Sequence, residues 1–124
     1  MGRDQVVADV MLGNPKTLAA TARVSEVRPL LDRPSVQMVL LVEGPRLAGV
    51  ITELPPDAAD EDPALGFAEA RPDTIGPDVS ASTAFDRTAA TPHRRLVVVD
   101  DQQHLLGLLC LDESRTRFCG APAQ

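Results

Sequence analysis

The chain has 124 residues, 44% apolar and 24% charged, with a formal net charge of −6, a composition that fits a soluble globular protein and excludes a disordered polymer. A domain of this size buries roughly two thirds of its unfolded surface, whereas half of it would be marginal alone. Eleven scattered arginines against one lysine, with three phenylalanines and no Tyr or Trp, offer neither a concentrated basic face nor stacking platforms, so nucleic acid is excluded as a partner.

Met1-Gly2-Arg3-Asp4-Gln5-Val6 lacks the apolar core of a signal peptide, and Val6 stands where a myristoylation pattern wants Ser or Thr. No apolar run approaches the ~20 residues of a membrane span, and the expectation is a cytoplasmic protein with no membrane contact. Val6 to Leu12 reads as a turn or two of helix closed by Gly13-Asn14-Pro15. After a brief extended segment at Lys16 to Leu18, Thr21 or Ser25 is expected to cap a helix through Arg33, with Val24, Val27, Leu30 and Leu31 on its buried stripe. Pro29 is harmless in a first turn and a kink further in. Val36 to Val42, the turn Glu43-Gly44-Pro45-Arg46, and Leu47 to Thr52 read as a hairpin, whose nearly unbroken apolarity predicts strands covered on both faces.

Leu54 to Pro63 contains Pro55-Pro56 and four carboxylates, which predicts a surface linker without a packed element. Ala64 to Ala70 is expected to be a short helix and Thr74-Ile75 extended. A helix capped by Asp78 or Ser80 should run to about Ala90, followed by strands at Leu96 to Val99 and Leu105 to Cys110 around a turn at Asp100 to Gln103. Arg117 to Gln124, with Gly120 and Pro122, is expected to be a loose tail.

The same order thus occurs twice. Pro15-Lys16-Thr17-Leu18 returns as Pro72-Asp73-Thr74-Ile75, and Val39 to Glu43 returns as Leu96 to Asp100, both 57 positions later. Leu47-Ala48-Gly49-Val50-Ile51-Thr52 returns as Leu105-Leu106-Gly107-Leu108-Leu109-Cys110, one residue further on, which places an insertion in the hairpin turn. Duplicated units of this size cover each other's apolar faces. The predicted fold is α+β: two β-α-β-β repeats about a pseudo-twofold axis, at 5–56 and 64–116, with an acidic Pro-rich linker at 57–63 and a flexible tail at 117–124, forming one composite domain.

Catalytic and metal chemistry find no support in the pattern. His93 and His104 have no Ser, Cys or Asp at a spacing that pairs nucleophile with base, so no catalytic residue is assigned and no enzyme is expected. Asp100, Asp101 and His104 lack the alternating oxygens and Gly of a calcium loop, so no metal is assigned; Asp57, Asp60, Glu61 and Asp62 read as linker solvation. Cys110 and Cys119 show no CxxC spacing. A disulfide between them is disfavoured in a reducing compartment, and Cys110 reads as a small apolar residue in a buried strand.

The order Val-Met-x-x-x-Pro-x-Thr-Leu, a short helix, a run such as Arg95-Leu96-Val97-Val98-Val99-Asp100, and Leu-x-Gly-Val-Ile-Thr resembles the cystathionine β-synthase (CBS) domain, and two in tandem resemble a CBS pair, or Bateman module, over about Val7 to Arg115. The resemblance implies a regulatory module, homodimeric, with no required cofactor. It further implies an adenosine-containing ligand such as AMP, ATP or S-adenosylmethionine in clefts between the repeats, and action on a protein partner in trans. In the family a Gly-x-x-Thr strand end supplies a hydroxyl and an aspartate three residues on accepts from the ribose.

Carried onto this chain, the second-half site comprises Thr74, Ile75, Arg94, Arg95, Leu96, Val97, Cys110, Asp112 and Glu113, the last in the aspartate's place and Cys110 in the hydroxyl's. The first-half site comprises Lys16, Thr17, Leu18, Met38, Val39 and Thr52; Pro55 stands where the aspartate is expected, which implies an impaired site. The resemblance favours the second half. The alternative is an assembly module without a nucleotide, using a helix face such as Val24, Val27 and Leu31.

Overall fold

The computed structural model describes residues 5–13, 15, 17–33, 38–69, 72–91, 94–112, 114 and 118. It divides into two compact units, Lys16–Pro72 and the combination of Met1–Pro15 with Asp73–Gln124.

In the unit Lys16–Pro72, β1 (Thr17–Ala19) runs parallel to β2 (Val39–Glu43), which pairs antiparallel with β3 (Arg46–Ile51). Alternate side chains of β2 face opposite sides of the sheet. Val39 and Leu41 join Ala22, Val27, Ile51 and Ala64 in a core cluster under helix α2 (Val24–Leu31), while Leu40 and Val50, outside that cluster, are buried as well. Both faces of the sheet are therefore covered, as the apolar runs predict. Val24 and Val27 are fully buried, and Leu30 and Leu31 pack against the cluster, so the stripe proposed for assembly is the core face of the helix.

The start of α2 departs from expectation. Neither Thr21 nor Ser25 caps it; the cap position is Arg23, whose backbone N–H donates to the Glu26 carboxylate at 2.8 Å. The first helical donors are satisfied by the linker, since Val24 N–H donates to the Asp62 carbonyl (2.9 Å) and Ser25 N–H to the Asp60 carbonyl (3.0 Å). Unpaired N-terminal N–H groups need such acceptors. The Arg28 guanidinium extends the same attachment, donating from Nη2 to the Ala58 carbonyl at 2.7 Å and lying 3.4 Å from Asp60 through Nε. The linker is thus docked on the helix that the first repeat supplies. Pro29 lies beyond the first turn, two residues before the helix ends, which limits the cost of its missing donor.

The second unit repeats this frame. β4 (Thr74–Ile75) runs parallel to β5 (Arg95–Val99), which pairs antiparallel with β6 (Leu105–Cys110). Thr17↔Leu40 becomes Thr74↔Val97, Val39↔Ile51 becomes Leu96↔Leu109, and the register shift at Leu41/Val42 becomes one at Val98/Val99. The inserted residue falls in the hairpin turn. There the Asp100 carboxylate accepts from the backbone N–H of Gln102 (2.8 Å) and His104 (2.9 Å), and these bonds, His104's foremost, hold its pKa below the usual carboxylate range despite some opposing desolvation. Helix α3 (Ala81–Ala89) starts at Ser80, whose hydroxyl accepts from Thr83 N–H at 3.3 Å, so of the two expected caps Ser80 serves. Val7, Ile75, Ala84, Leu96, Val98 and Leu109 form the core.

The compact units cut across the sequence repeats. Helix α1 (Val7–Val10) contributes Val7 to the core beneath β5 and β6, and the 3-10 turn at Ala64–Phe67 contributes Ala64 to the core beneath β2 and β3. Each leading segment then forms a one-residue bridge with the last strand of its unit, Leu12 with Leu108 and Glu69 with Val50. The repeated glycines permit this crossing. A Cβ on Gly107 would lie 2.6 Å from the Leu12 carbonyl oxygen, and one on Gly49 2.8 Å from the Ala68 Cβ. Phe118, expected in a loose tail, is instead bridged to Leu111, and its ring meets Phe85 edge-to-face at 5.6 Å and 86°. No helix among the described residues is long and apolar enough to cross a membrane.

Candidate functional site

The two strand exits, after β3 and after β6, carry the residues with ligand chemistry. At the first, Thr52 follows β3 and is half-buried. It lines a cleft of about 240 Å³ with Glu53 and Leu54, with Arg28 and Leu31 of α2, and with Asp32 at the C-cap of that helix. The helix is amphipathic: Val24 and Val27 point into the core, which leaves Arg28 on its margin, with Asp32 at its C-cap. Two carboxylates, a hydroxyl and a guanidinium thus face one space with two leucines. Arg28 uses Nε and Nη2 toward the linker, and a guanidinium has five N–H donors in all.

At the second exit the chain meets itself. Cys110 is buried, 4% exposed, and is disulfide-bonded, which corrects the reading of it as a free apolar thiol; Cys119, the only other cysteine in the sequence, lies outside the described residues. Arg94 adopts a left-handed backbone (φ 56°), uncommon for a residue with a Cβ. Its Nη1 donates to the Leu111 carbonyl at 3.2 Å, and its own carbonyl accepts from Leu111 N–H at 3.0 Å and from Arg95 Nη1 at 3.3 Å. Burial, with the neighbouring Arg94 charge as the lesser cause, lowers the Arg95 pKa; guanidinium stays charged regardless. Arg95 N–H is also tied to Thr91 Oγ1 at 3.1 Å. Arg94 and Arg95, which the resemblance places in the second-half site, thus brace the entry of β5 against the exit of β6.

The remaining predicted residues distribute as follows. Ile75, Leu96 and Val97 are buried strand residues at 3%, 2% and 1% exposure, and the Thr74 carbonyl accepts from Arg87 Nη2 at 3.0 Å. Asp112 accepts from the Ser114 hydroxyl at 3.0 Å; Glu113 lies outside the described residues. In the first half Thr17 is exposed on β1, Leu18 packs on the core, Met38 is half-buried, Val39 is fully buried, and Lys16 lies outside the described residues. The family resemblance reached Thr52 through its Gly-x-x-Thr strand end, which the second copy replaces with Gly107-Leu108-Leu109-Cys110. It missed Arg28, Asp32 and Glu53, which no motif marks and which only the return of β3 beside α2 assembles.

Residues 68–113 match the family model of the CBS domain. No curated protein matches the chain. Among solved structures, the chain is similar to the CBS-pair domain of a putative Mg2+ transporter from Shewanella oneidensis, at TM-score 0.74 and 13% identity over 86% of this chain and 66% of that one. It is similar to the CBS-pair protein CBSX2 from Arabidopsis thaliana at TM-score 0.73 and 17% identity, covering 87% and 89% of the two chains. A CBS domain protein from Pyrobaculum aerophilum, solved in complex with AMP, aligns at TM-score 0.70 and 22% identity over 85% of this chain and 86% of that one.

Proposed function

From the premise that the chain is a tandem CBS pair in fold, its second half matched directly by the CBS family model, we propose that it is a regulatory module binding an adenosine-containing ligand through the first-half strand exit. The observation that carries this reading is the cleft where Thr52 and Glu53 meet Arg28 and Asp32. The Pyrobaculum relative's AMP supplies the ligand class. Acceptors outnumber cations in the cleft, so it suits ribose hydroxyls or an exocyclic amine better than a phosphate. Either Glu53 or Asp32 then takes the part of the aspartate that Pro55 displaces. About 240 Å³ is below the roughly 300–1,000 Å³ of complete ligand pockets, so the cleft holds one end of the molecule. The second exit is a weaker candidate because Arg94 and Cys110 are committed to the chain itself.

Binding changes output only through a difference in affinity between two states of the protein, and the output passes to a partner protein, with the chain as a homodimer. Thermal unfolding against AMP, ATP and S-adenosylmethionine tests the reading. A ligand at a hundred times its Kd adds about 2.7 kcal/mol of stability. Thr52→Val removes one hydrogen bond, worth about 0.5–1.5 kcal/mol, and raises Kd roughly 2- to 12-fold. A panel with no shift contradicts the proposal and favours assembly without a nucleotide.

A further inference from the structure

The linker between the repeats meets the first-half cleft through one side chain. Arg28 is the one cation among the described residues that line the cleft, where Asp32 and Glu53 supply two carboxylates. Its guanidinium is held by the linker: Nη2 donates to the Ala58 carbonyl at 2.7 Å, and Nε lies 3.4 Å from the Asp60 carboxylate. Backbone bonds fix Asp60 in place. Its carbonyl accepts from Ser25 N–H (3.0 Å) and the Asp62 carbonyl accepts from Val24 N–H (2.9 Å). Turns closed by Ala58 N–H on the Pro55 carbonyl (3.1 Å) and by Asp62 N–H on the Ala59 carbonyl (3.0 Å) set the path between. An arginine, the residue type suited to grip a phosphate through paired donors, is thus matched by an acid from outside the cleft. What faces a ligand is an excess of negative charge.

Given the adenosine reading of this cleft, on which the inference rests, we propose that Asp60 determines which adenosine-containing ligand is taken. By engaging Arg28, it selects a neutral or cationic 5′ substituent, as in adenosine or S-adenosylmethionine, over the phosphates of AMP and ATP. The 5′ substituent of a ribose seated among Asp32, Thr52 and Glu53 meets the charges at this rim. A phosphate there gains the guanidinium only by displacing it from both Asp60 and the Ala58 carbonyl, and it faces the Asp32 and Glu53 carboxylates while doing so. A hydroxyl or a sulfonium meets neither cost. Asp60 is not among the residues lining the cleft; it is a positioning residue that acts through Arg28.

The full chain is titrated with adenosine, S-adenosylmethionine, AMP and ATP, and each Kd is read from the backbone amide NMR shifts of Thr52, Glu53 and Leu54. The expected order is adenosine and S-adenosylmethionine tightest, then AMP, with ATP weakest. Asp60→Asn keeps the carbonyl that accepts from Ser25 N–H and releases the guanidinium. The affinity of ATP relative to adenosine then rises roughly fivefold, the worth of one charge at about 4 Å in water. Glu61→Gln removes an equal charge from the adjacent exposed position and moves that ratio less than about twofold. The gain from Asp60→Asn shrinks as ionic strength rises from about 0.01 M to 0.15 M, where the Debye length falls from about 30 Å to 8 Å, a dependence that a merely structural role of Asp60 would not show. ATP binding the unmodified chain as tightly as adenosine, or Glu61→Gln matching Asp60→Asn, overturns the proposal and leaves the adenosine reading standing. No response of these amides to any of the four compounds overturns both.

Discussion

The exits of β3 and β6 occupy equivalent places in one repeated frame and end in opposite chemistry. After β3 the chain leaves Thr52 beside a cleft shared with Arg28 and Asp32; β6 ends in a buried, disulfide-bonded Cys110 and a Leu111 carbonyl that accepts from the Arg94 guanidinium. A duplication preserves register because every paired strand depends on it. Side chains at a strand exit carry no such constraint, and there the two copies have diverged.

The frame itself offers the largest predicted effects. Gly107→Ala drives a methyl group against the Leu12 carbonyl oxygen, a backbone atom, whereas Gly49→Ala meets chiefly the Ala68 Cβ, with the Glu69 oxygen at 3.3 Å. Overpacking costs about 1–3 kcal/mol, and urea denaturation should place Gly107→Ala at the upper end and Gly49→Ala at the lower. Equal or negligible losses would mean that the leading segments do not cross the last strands closely.

A smaller asymmetry concerns the helix starts. Ser80→Ala removes the hydroxyl that accepts from Thr83 N–H and should cost about 1 kcal/mol. Arg23→Ala, at the matching position of α2, should change stability by less than about 0.5 kcal/mol, since linker carbonyls rather than its side chain satisfy that helix. Similar losses in the two variants would break the distinction.

Much of the frame was legible in the sequence, because strand pairing and core burial follow from apolar periodicity. The offset of 57 positions predicted the matching registers of Thr17↔Leu40 and Thr74↔Val97, and the extra residue pointed to the second hairpin turn. The exchange of leading segments was hidden, since periodicity says that Val7 and Ala64 are buried but not beneath which sheet. The cap of α2 was hidden for a related reason: its acceptors are backbone carbonyls of Asp60 and Asp62, which any residue type supplies. Thr52 was visible in a motif, while Arg28 and Asp32 reach it only through packing.

The most direct test of the account is a map of backbone amide NMR shifts during titration with AMP. The account predicts changes concentrated at Leu31, Asp32, Thr52, Glu53 and Leu54, with Cys110, Leu111 and Asp112 unmoved. Changes confined to Arg94 and Cys110 to Asp112, with Thr52 and its neighbours silent, would contradict it.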